Sequence, residues 1–435
     1  MTSPPASFGR ILRFWSPLAS TWLMMSVEGP FLAALIARLA DPKENLAAYG
    51  VAFAVAIIVE SPVIMMLSAS TALVENRDSF RKVRHFTYAL NLVITAVMLL
   101  LLLTPLWRLI ARDLIGLPAG VTDLTQGSLL LMIPWPAAIG YRRFFQGLLI
   151  RHGLPRRVAY GTIIRVTAMG TTALLLFRTV EAPGAWLAAV ALSTGVSIEA
   201  IASRLMTASV LRRLRRDQIR PLSGAAPLSY RRIVRFYYPL ALTSTISMAA
   251  QPIVVFFMGR APASLESLAI LPVVNSFVFI FRSAGLAYQE VAIALLAERP
   301  SNQAPVIRFA LVLAGFVTVS LTTIAFSPLA ALWFRTVSGL SPDLAAFSLT
   351  PLRLLIFMPA LSVFLSLQRS LLVHRRRTTA ITGATLIELS GIIAVLLVAT
   401  GPLRMAGAVA AAVAFMAGRL GSNLFLLPPA VRAAR

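Results

Sequence analysis

Charged side chains interrupt otherwise apolar segments of this chain, and they are the residues most able to do chemistry. A charge at the centre of a hydrocarbon layer costs about 2.5–3.5 kcal/mol on insertion scales, so each one needs a partner, water or a function. The set comprises Glu28, Glu60, Arg165, Glu199, Arg282, Glu290, Arg353, Glu388 and Arg419. We therefore treat these residues as candidates for binding a substrate or an ion.

Glu60 and Arg282 stand out because they lie 222 residues apart and are each followed by serine, Ser61 and Ser283. An internal repeat with the same offset, described below, makes the two positions equivalent. We predict that they line or gate a central cavity, with one lobe contributing an anion and the other a cation. The alternatives are an ion pair that closes the cavity, or separate pairing within each lobe.

A second set of charges falls on the last two predicted spans of each half of the chain. Arg165 and Glu388 lie on the fifth and eleventh spans, and Glu199 and Arg419 lie on the sixth and twelfth. One interpretation is salt bridges between neighbouring helices, which often give specificity rather than stability. The other is that an arginine attracts an anionic solute while an acid carries a coupling H+ or Na+.

Polar residues beside prolines form a third group of candidates. Glu28 precedes Gly29-Pro30 and could be a cation or proton site on a broken helix, or the partner of an arginine. Gln251, next to Pro252, and Asn275 could line the cavity or satisfy backbone carbonyls that the proline leaves free.

The elements that must position these residues are transmembrane helices. The 435 residues are 58% hydrophobic and 13% charged, whereas soluble domains are about one quarter charged. Apolar runs near 20 residues match a bilayer of about 30 Å. The predicted fold is an all-α polytopic membrane protein of about twelve transmembrane helices. The spans are 14–38, 46–74, 86–108, 124–150, 158–178, 184–210, 236–259, 267–297, 306–333, 345–372, 379–400 and 405–428.

An internal repeat organises these spans into two halves. Residues 10–19 read RILRFWSPLA and residues 232–241 read RIVRFYYPLA, with seven of ten positions identical. The same offset pairs Pro30 with Pro252, and Gln146 with Gln368. The sequence therefore predicts two six-helix lobes, 1–210 and 232–435, joined by a basic cytoplasmic linker at 211–231. An even number of spans per repeat predicts a pseudo-twofold axis along the membrane normal.

The net charge of +24 comes from 40 Lys and Arg against 16 Asp and Glu. Arginine clusters such as Arg212-Arg213 lie between apolar runs, which is the pattern of topology signals and anionic lipid contacts rather than of a nucleic-acid surface. The clusters predict cytoplasmic N- and C-termini. The strong preference for arginine over lysine is typical of GC-rich bacterial genomes, so we expect a bacterial cytoplasmic membrane.

Motifs of enzymes and metal sites are absent from the sequence. There is no cysteine, no Walker A motif, no H-E-x-x-H and no G-x-S-x-G. The three histidines, His85, His152 and His374, lie near predicted span ends and suggest no metal site. We predict no catalytic residues, no metal and no cofactor, so transport would need either an ion gradient, of H+ or Na+, or a separate energy-coupling subunit.

The chain resembles the progressive ankylosis protein (ANKH-like) family within the multidrug/oligosaccharidyl-lipid/polysaccharide (MATE-like) exporter superfamily. The residues that carry the resemblance are 14–19 (FWSPLA) and 236–241 (FYYPLA), 46–53, Gln289-Glu290 with Pro300-Ser301-Asn302, and Pro351-Leu352-Arg353. The resemblance covers nearly the full length. It implies a twelve-helix, MATE-like exporter that works by alternating access on small anions such as pyrophosphate, nucleotides or citrate. Carried over by position, Glu290 and Arg353 become candidate functional residues.

The leading hypothesis is therefore a monomeric secondary transporter that exports small organic or phosphorylated anions. A cation-coupled multidrug exporter would instead need acids to dominate the cavity. A lipid-intermediate flippase would need a portal open to the membrane. A remote alternative, an intramembrane enzyme, would need a catalytic constellation.

Overall fold

The computed structural model describes residues 6–216, 228–375 and 379–434, and these residues form helices and connecting turns without any strand. Eleven helices in this part of the chain are long and apolar enough to cross a membrane. The remaining predicted span, 124–150, is a pair of helices interrupted at Met132 and Ile133. The all-helical prediction is confirmed.

We number the twelve spanning elements in chain order. They are α1 (Phe8–Ile36), α2 (Pro42–Leu73), α3 (Arg77–Leu103), α4 (Ala119–Leu131 and Pro134–Arg151), α5 (Pro155–Thr179), α6 (Gly184–Met206), α7 (Tyr230–Gly259), α8 (Ser264–Glu298), α9 (Gln303–Ala325), α10 (Pro342–Leu354 and Met358–His374), α11 (Thr379–Thr400) and α12 (Gly407–Ala434). The ninth predicted span extends too far, because 328–337 forms a separate short helix that ends in a π-helical turn.

Prolines set the helix breaks. α1 is interrupted at Val27, three residues before Pro30, and α7 is interrupted at Ala249, three residues before Pro252. Proline lacks the N–H that would bond to the carbonyl four residues earlier, and its ring collides with that carbonyl. By contrast, Pro272 lies inside the continuous helix α8.

The two halves repeat the same local structures at the same offset of 222. Ser7 caps α1 and Ser229 caps α7, each accepting a hydrogen bond from the backbone N–H three residues later. Asp41 and Ala263, which precede α2 and α8, both adopt left-handed backbone with φ of 47° and 51°. Residues other than glycine rarely adopt this backbone conformation. Its occurrence at both equivalent positions supports the internal repeat.

Packing divides the chain at points other than the predicted lobe boundaries. The N-terminal unit is Val51–Pro252, and the C-terminal unit combines the residues up to Gly50 with those from Ile253 onward. In the C-terminal unit, the indole N–H of Trp15 on α1 donates to the Ala284 carbonyl on α8 at 3.2 Å. The first helix of the chain therefore packs with spans of the second half, a swap that the repeat alone does not reveal. The boundaries 1–210 and 232–435 remain a prediction about the sequence repeat.

The N-terminal unit contains the reciprocal arrangement. The first segment of α7 packs on α2, where the Tyr237 hydroxyl donates to the Pro62 carbonyl and the hydroxyls of Ser61 and Thr245 lie 2.9 Å apart. Tyr237 is buried and belongs to the apolar core of this unit. Each unit thus includes the opening helix of the other repeat.

The predicted linker begins as a helix. Helix Ala208–Arg216 continues past α6, and α7 begins at Tyr230, whereas 217–227 lie outside the described residues. Leu211 and Leu214 are buried against the N-terminal unit, while Arg212 and Arg213 are exposed. The apolar face of this helix therefore packs on the protein core, and its basic side chains face outward.

Close helix packing in the N-terminal unit predicts a sharp contrast between two glycines. A Cβ at Gly147 would lie 1.8 Å from the Ser70 hydroxyl and 2.5 Å from the Leu67 carbonyl, whereas a Cβ at Gly170 would meet nothing within 4 Å. We expect Gly147→Ala to cost about 1–3 kcal/mol by overpacking, and Gly170→Ala to be neutral or slightly stabilising. Thermal unfolding in detergent measures both, and equal stability of the two variants would contradict the packing described here.

Candidate functional site: two intramembrane arginine clusters

The first cluster is built around Glu199 in the N-terminal unit. Its side chain on α6 is fully buried, and its Oε2 atom contacts Arg142 Nη1 from α4 and lies 3.3 Å from Arg165 Nε on α5. Gln146 Nε2 donates to the other carboxylate oxygen at 3.0 Å. One carboxylate therefore links three helices. Its single negative charge balances only one of the two positive charges of Arg142 and Arg165.

Glu60 extends this cluster to α2. The indole N–H of Trp135 donates to its carboxylate, which also interacts electrostatically with Arg142, Arg143 and Arg165. Glu60 is 7% exposed. We call Glu60, Arg142, Arg143, Arg165 and Glu199 the N-terminal cluster. It holds three arginines and two glutamates.

Small residues bring these helices close enough for the contacts. A Cβ at Gly195 on α6 would lie 3.0 Å from the Arg165 carbonyl and 2.9 Å from Met169 Cβ on α5. Glycine at this position lets the two backbones approach, as small residues do between membrane helices. The approach allows Arg165 to reach Glu199.

The C-terminal cluster consists of Arg282, Arg369, Glu388 and Arg419. Arg419 Nη2 on α12 lies 2.8 Å from Glu388 Oε1 on α11. Arg282 on α8 and Arg369 on α10 both interact electrostatically with that pair, and Arg282 Nε donates to the Ser362 hydroxyl at 3.3 Å. Three arginines thus share one carboxylate.

Several guanidinium groups in the clusters keep an unused donor. The buried Nε atoms of Arg142, Arg143, Arg369 and Arg419 have no hydrogen-bond acceptor within the described residues. A buried donor without an acceptor costs about 1–3 kcal/mol, and more for a charged group. These atoms are therefore suited to an acceptor supplied by a ligand.

The structure supports the salt-bridge interpretation of the second predicted set. Arg165 pairs with Glu199 and Arg419 pairs with Glu388, in each case between neighbouring helices of one unit. Glu60 and Arg282 belong to different units and have hydrogen-bond partners in their own, Trp135 and Ser362. Whether any of these residues binds a substrate or an ion stays a prediction.

The other candidates lie away from the clusters. Glu28 interacts electrostatically with Tyr49, and Glu290 accepts from the Trp22 indole at 3.3 Å. Arg353 donates to the Ala325 carbonyl at 3.3 Å and lies 5.2 Å from the centre of the Phe326 ring. A role of these three residues in binding a substrate or an ion stays a prediction.

The two neutral candidates have different surroundings. Asn275 lines a small, mostly apolar cavity in the C-terminal unit between α8, α10 and α12. Gln251 is partly buried in the second segment of α7, directly before Pro252. Neither belongs to a charged cluster. No group of histidine, aspartate and glutamate side chains able to hold a metal occurs among the residues that the structure describes.

Sequence reasoning missed Trp135, Arg142, Arg143 and Arg369. The signal was present, because Arg142-Arg143 falls within the predicted span 124–150 and Arg369 within 345–372. They were nevertheless not counted among the charges inside the predicted spans. Nothing in the sequence pointed to Trp135, because a tryptophan between two prolines does not indicate that its indole N–H will bond to a carboxylate.

Comparison with solved structures identifies the fold. The chain is similar to an inward-facing multidrug resistance MATE family transporter of the MOP superfamily, with 14% identity, a TM-score of 0.71 and coverage of 95% of both chains. It is also similar to the lipid II flippase MurJ in an inward closed conformation, with 14% identity, a TM-score of 0.74 and coverage of 96% of this chain and 89% of that one.

A third similar structure is a MOP superfamily transporter from Pyrococcus furiosus, whose description reports a binding pocket of reverse polarity. It shares 14% identity at a TM-score of 0.65, covering 98% of this chain and 96% of that one. No protein-family model matches the chain, and no curated protein matches it significantly. The chain therefore has a MATE-like fold, and the finer resemblance to progressive ankylosis proteins stays a prediction.

The geometry predicts that Glu199 is essential for stability. Glu199→Gln leaves Arg142 and Arg165 buried without their counter-charge, and breaking a buried pair in this way costs about 3–5 kcal/mol. Asp78→Asn, which removes the exposed partner of Lys82, is the control and should cost less than about 1 kcal/mol. Thermal unfolding of purified protein measures both variants. A Glu199→Gln variant as stable as wild type would show that the cluster does not hold the helices together.

Proposed function

We propose that the protein is a secondary transporter that exports a small organic or phosphorylated anion through a MATE-like fold. The observation that carries the proposal is the charge balance of the two clusters. Arginines outnumber glutamates by three to two in the N-terminal cluster and by three to one in the C-terminal cluster. Both clusters therefore carry an excess of positive charge inside helices that span a membrane.

An anion would relieve that excess. Each uncompensated arginine costs about 2.5–3.5 kcal/mol within a bilayer on insertion scales. Guanidinium groups bind carboxylate and phosphate oxygens through paired N–H donors, and the free Nε atoms supply such donors. Pyrophosphate, nucleotides and citrate, the solutes implied by the family resemblance, all carry several oxygen acceptors and more than one negative charge.

The charge balance argues against a cation-coupled multidrug exporter. Such a protein needs carboxylates that are free to meet a cationic drug. Here Glu199 already meets two arginines and Gln146, and Glu388 meets Arg419. The Pyrococcus furiosus transporter, described as having a pocket of reverse polarity, is a precedent within the same fold for a change in the preferred charge.

A lipid-intermediate flippase is the second candidate. The fold similarity to the lipid II flippase MurJ reaches a TM-score of 0.74, and a phosphorylated lipid carries the same oxyanion chemistry as a soluble phosphate. Under either proposal Glu60 is the acid best placed to exchange a coupling H+ or Na+, because its hydrogen-bond partner is the neutral indole of Trp135 rather than an arginine. We further propose the cytoplasmic membrane as the location, with both termini in the cytoplasm.

Transport into proteoliposomes tests the proposal. We expect saturable uptake of labelled pyrophosphate, ATP or citrate that responds to a pH or Na+ gradient. Arg282→Gln should reduce the rate at least about tenfold, equivalent to losing about 1.4 kcal/mol of stabilisation. Arg178→Gln, at the exposed end of α5, is the matched control and should transport normally.

The alternatives give distinct results in the same vesicles. Flux of cationic dyes without flux of any anion would refute the proposal. Translocation of a fluorescent phosphorylated lipid, without flux of soluble anions, would favour the flippase. Normal anion flux by Arg282→Gln would remove that residue from the site.

A further inference from the structure

A lateral groove lies on the N-terminal unit, separate from both arginine clusters. It has a volume of about 440 Å³ and runs between α3, α4 and α6, which is within the usual range for ligand sites. The residues that matter for its chemistry are Asn91, Ala137, Ala138, Tyr141, Ala200 and Arg204. Small side chains on α4 and α6 form its floor and leave room for an elongated apolar group.

The polarity of the groove changes along its length. Arg204 lies two residues before the end of α6, and Tyr141 lies near the middle of the second segment of α4. Ala200 and Ala137 lie about one turn deeper, at 1.5 Å per residue. The groove therefore has a charged end near the membrane surface and an apolar end toward the membrane interior.

Among the residues that the structure describes, two arginines lack an ion-pair partner in this region: Arg204, which lines the groove, and Arg84, which lies one turn before Tyr88 on α3. Arg204 lies 5.4 Å from the ring centre of Phe145, and Arg84 lies 5.4 Å from that of Phe80. No ion pair involves either arginine in the part of the chain that the structure describes, and the buried Arg84 Nε has no hydrogen-bond acceptor there. Both arginines are close enough to Tyr88 to interact electrostatically with its phenol group.

Tyrosine hydroxyls add neutral donors beside these cations. Tyr88 stacks on Tyr141 with 5.9 Å between ring centres and an angle of 11°. Arg204 and Tyr141 thus line the charged end of the groove, and the stacking of Tyr88 on Tyr141 brings the turn of α3 that carries Arg84 beside them. Guanidinium and phenol groups are the donors that bind a phosphate diester, with charge-assisted hydrogen bonds as the strongest contribution.

The groove opens toward lipid rather than toward a water-filled space. Next to its apolar floor, Ile201 and Leu205 on α6 are 60% and 67% exposed, and Leu92 on α3 is 71% exposed. Exposed aliphatic side chains on membrane helices face acyl chains, because only lipid covers them without cost. A ligand that enters the groove sideways must therefore itself be a lipid.

We propose that this groove binds one anionic diacyl phospholipid. Its phosphate lies between Arg204 and Arg84 with the phenol groups of Tyr88 and Tyr141, and one acyl chain occupies the floor formed by Ala137, Ala138 and Ala200. The charged end corresponds to the predicted cytoplasmic side, where anionic lipids are concentrated. The bound lipid ties α3 to α4 and α6 and so stabilises the N-terminal unit, independently of what the protein transports.

The test uses the full-length protein in nanodiscs and phosphatidylglycerol as the probe. Compared with phosphatidylcholine, phosphatidylglycerol should raise the midpoint of thermal unfolding by about 3 °C or more. Native mass spectrometry should detect one retained phosphatidylglycerol. Ala138→Phe fills the apolar floor, and Arg204→Gln removes a phosphate ligand. Both should lose the retained lipid and the shift.

Arg213→Gln is the control, since Arg213 is an exposed arginine of helix Ala208–Arg216 outside the groove. It should retain both the lipid and the shift. An equal loss in Arg213→Gln would show diffuse surface attraction and overturn the proposal. Equal stabilisation by phosphatidylcholine would also overturn the proposal, and so would retention of phosphatidylglycerol by a folded Arg204→Gln variant. If Ala138→Phe fails to fold, the Arg204→Gln result decides.

Discussion

A guanidinium group cannot release its proton inside a membrane at ordinary pH, so the protein must supply its counter-charge. This constraint shapes the N-terminal unit. Glu199 on α6 forms ion pairs with Arg142 on α4 and Arg165 on α5. Gln146 donates a further hydrogen bond to its carboxylate. Replacing such a network with apolar residues can be neutral for stability. The retained arginines therefore suggest a purpose other than holding helices together.

The incomplete compensation links the structure to the proposed function. If the clusters served only stability, each arginine would be expected to have its own carboxylate. Instead the C-terminal cluster has Glu388 for three arginines, and the N-terminal cluster retains buried Nε donors without acceptors. A transporter needs a site that is satisfied when loaded and less stable when empty, because binding energy can then favour one conformation over another.

The sequence predicted the fold well because the signals that specify membrane helices are strong. Long apolar runs marked the spans, and the match between residues 10–19 and 232–241 marked the repeat. What it could not predict was the packing of α1 with the second half of the chain and of the start of α7 with the first half. Connectivity suggests that neighbours in sequence pack together, and the contacts of Trp15 and Tyr237 with distant spans follow from tertiary packing alone.

The candidate site was predicted in part. Charge inside a span was enough to identify Glu60, Arg165, Glu199, Arg282, Glu388 and Arg419, and the structure places all six in the two clusters. The family resemblance singled out Glu290 and Arg353, and these two residues lie outside the clusters. Glu290 accepts a hydrogen bond from Trp22, and Arg353 lies over the ring of Phe326. Arg142 and Arg369 were missed because linear position within a predicted span does not distinguish an arginine that points to the surface from one that points inward.

Equilibrium binding of labelled pyrophosphate to the protein in nanodiscs tests most directly whether the excess positive charge serves an anion. The account predicts that Arg369→Gln weakens binding about tenfold or more, because it removes part of the attraction. Glu388→Gln should instead strengthen binding, since it removes the carboxylate that competes for Arg419. Weakening by both variants alike, or no binding by folded wild-type protein, would contradict the account.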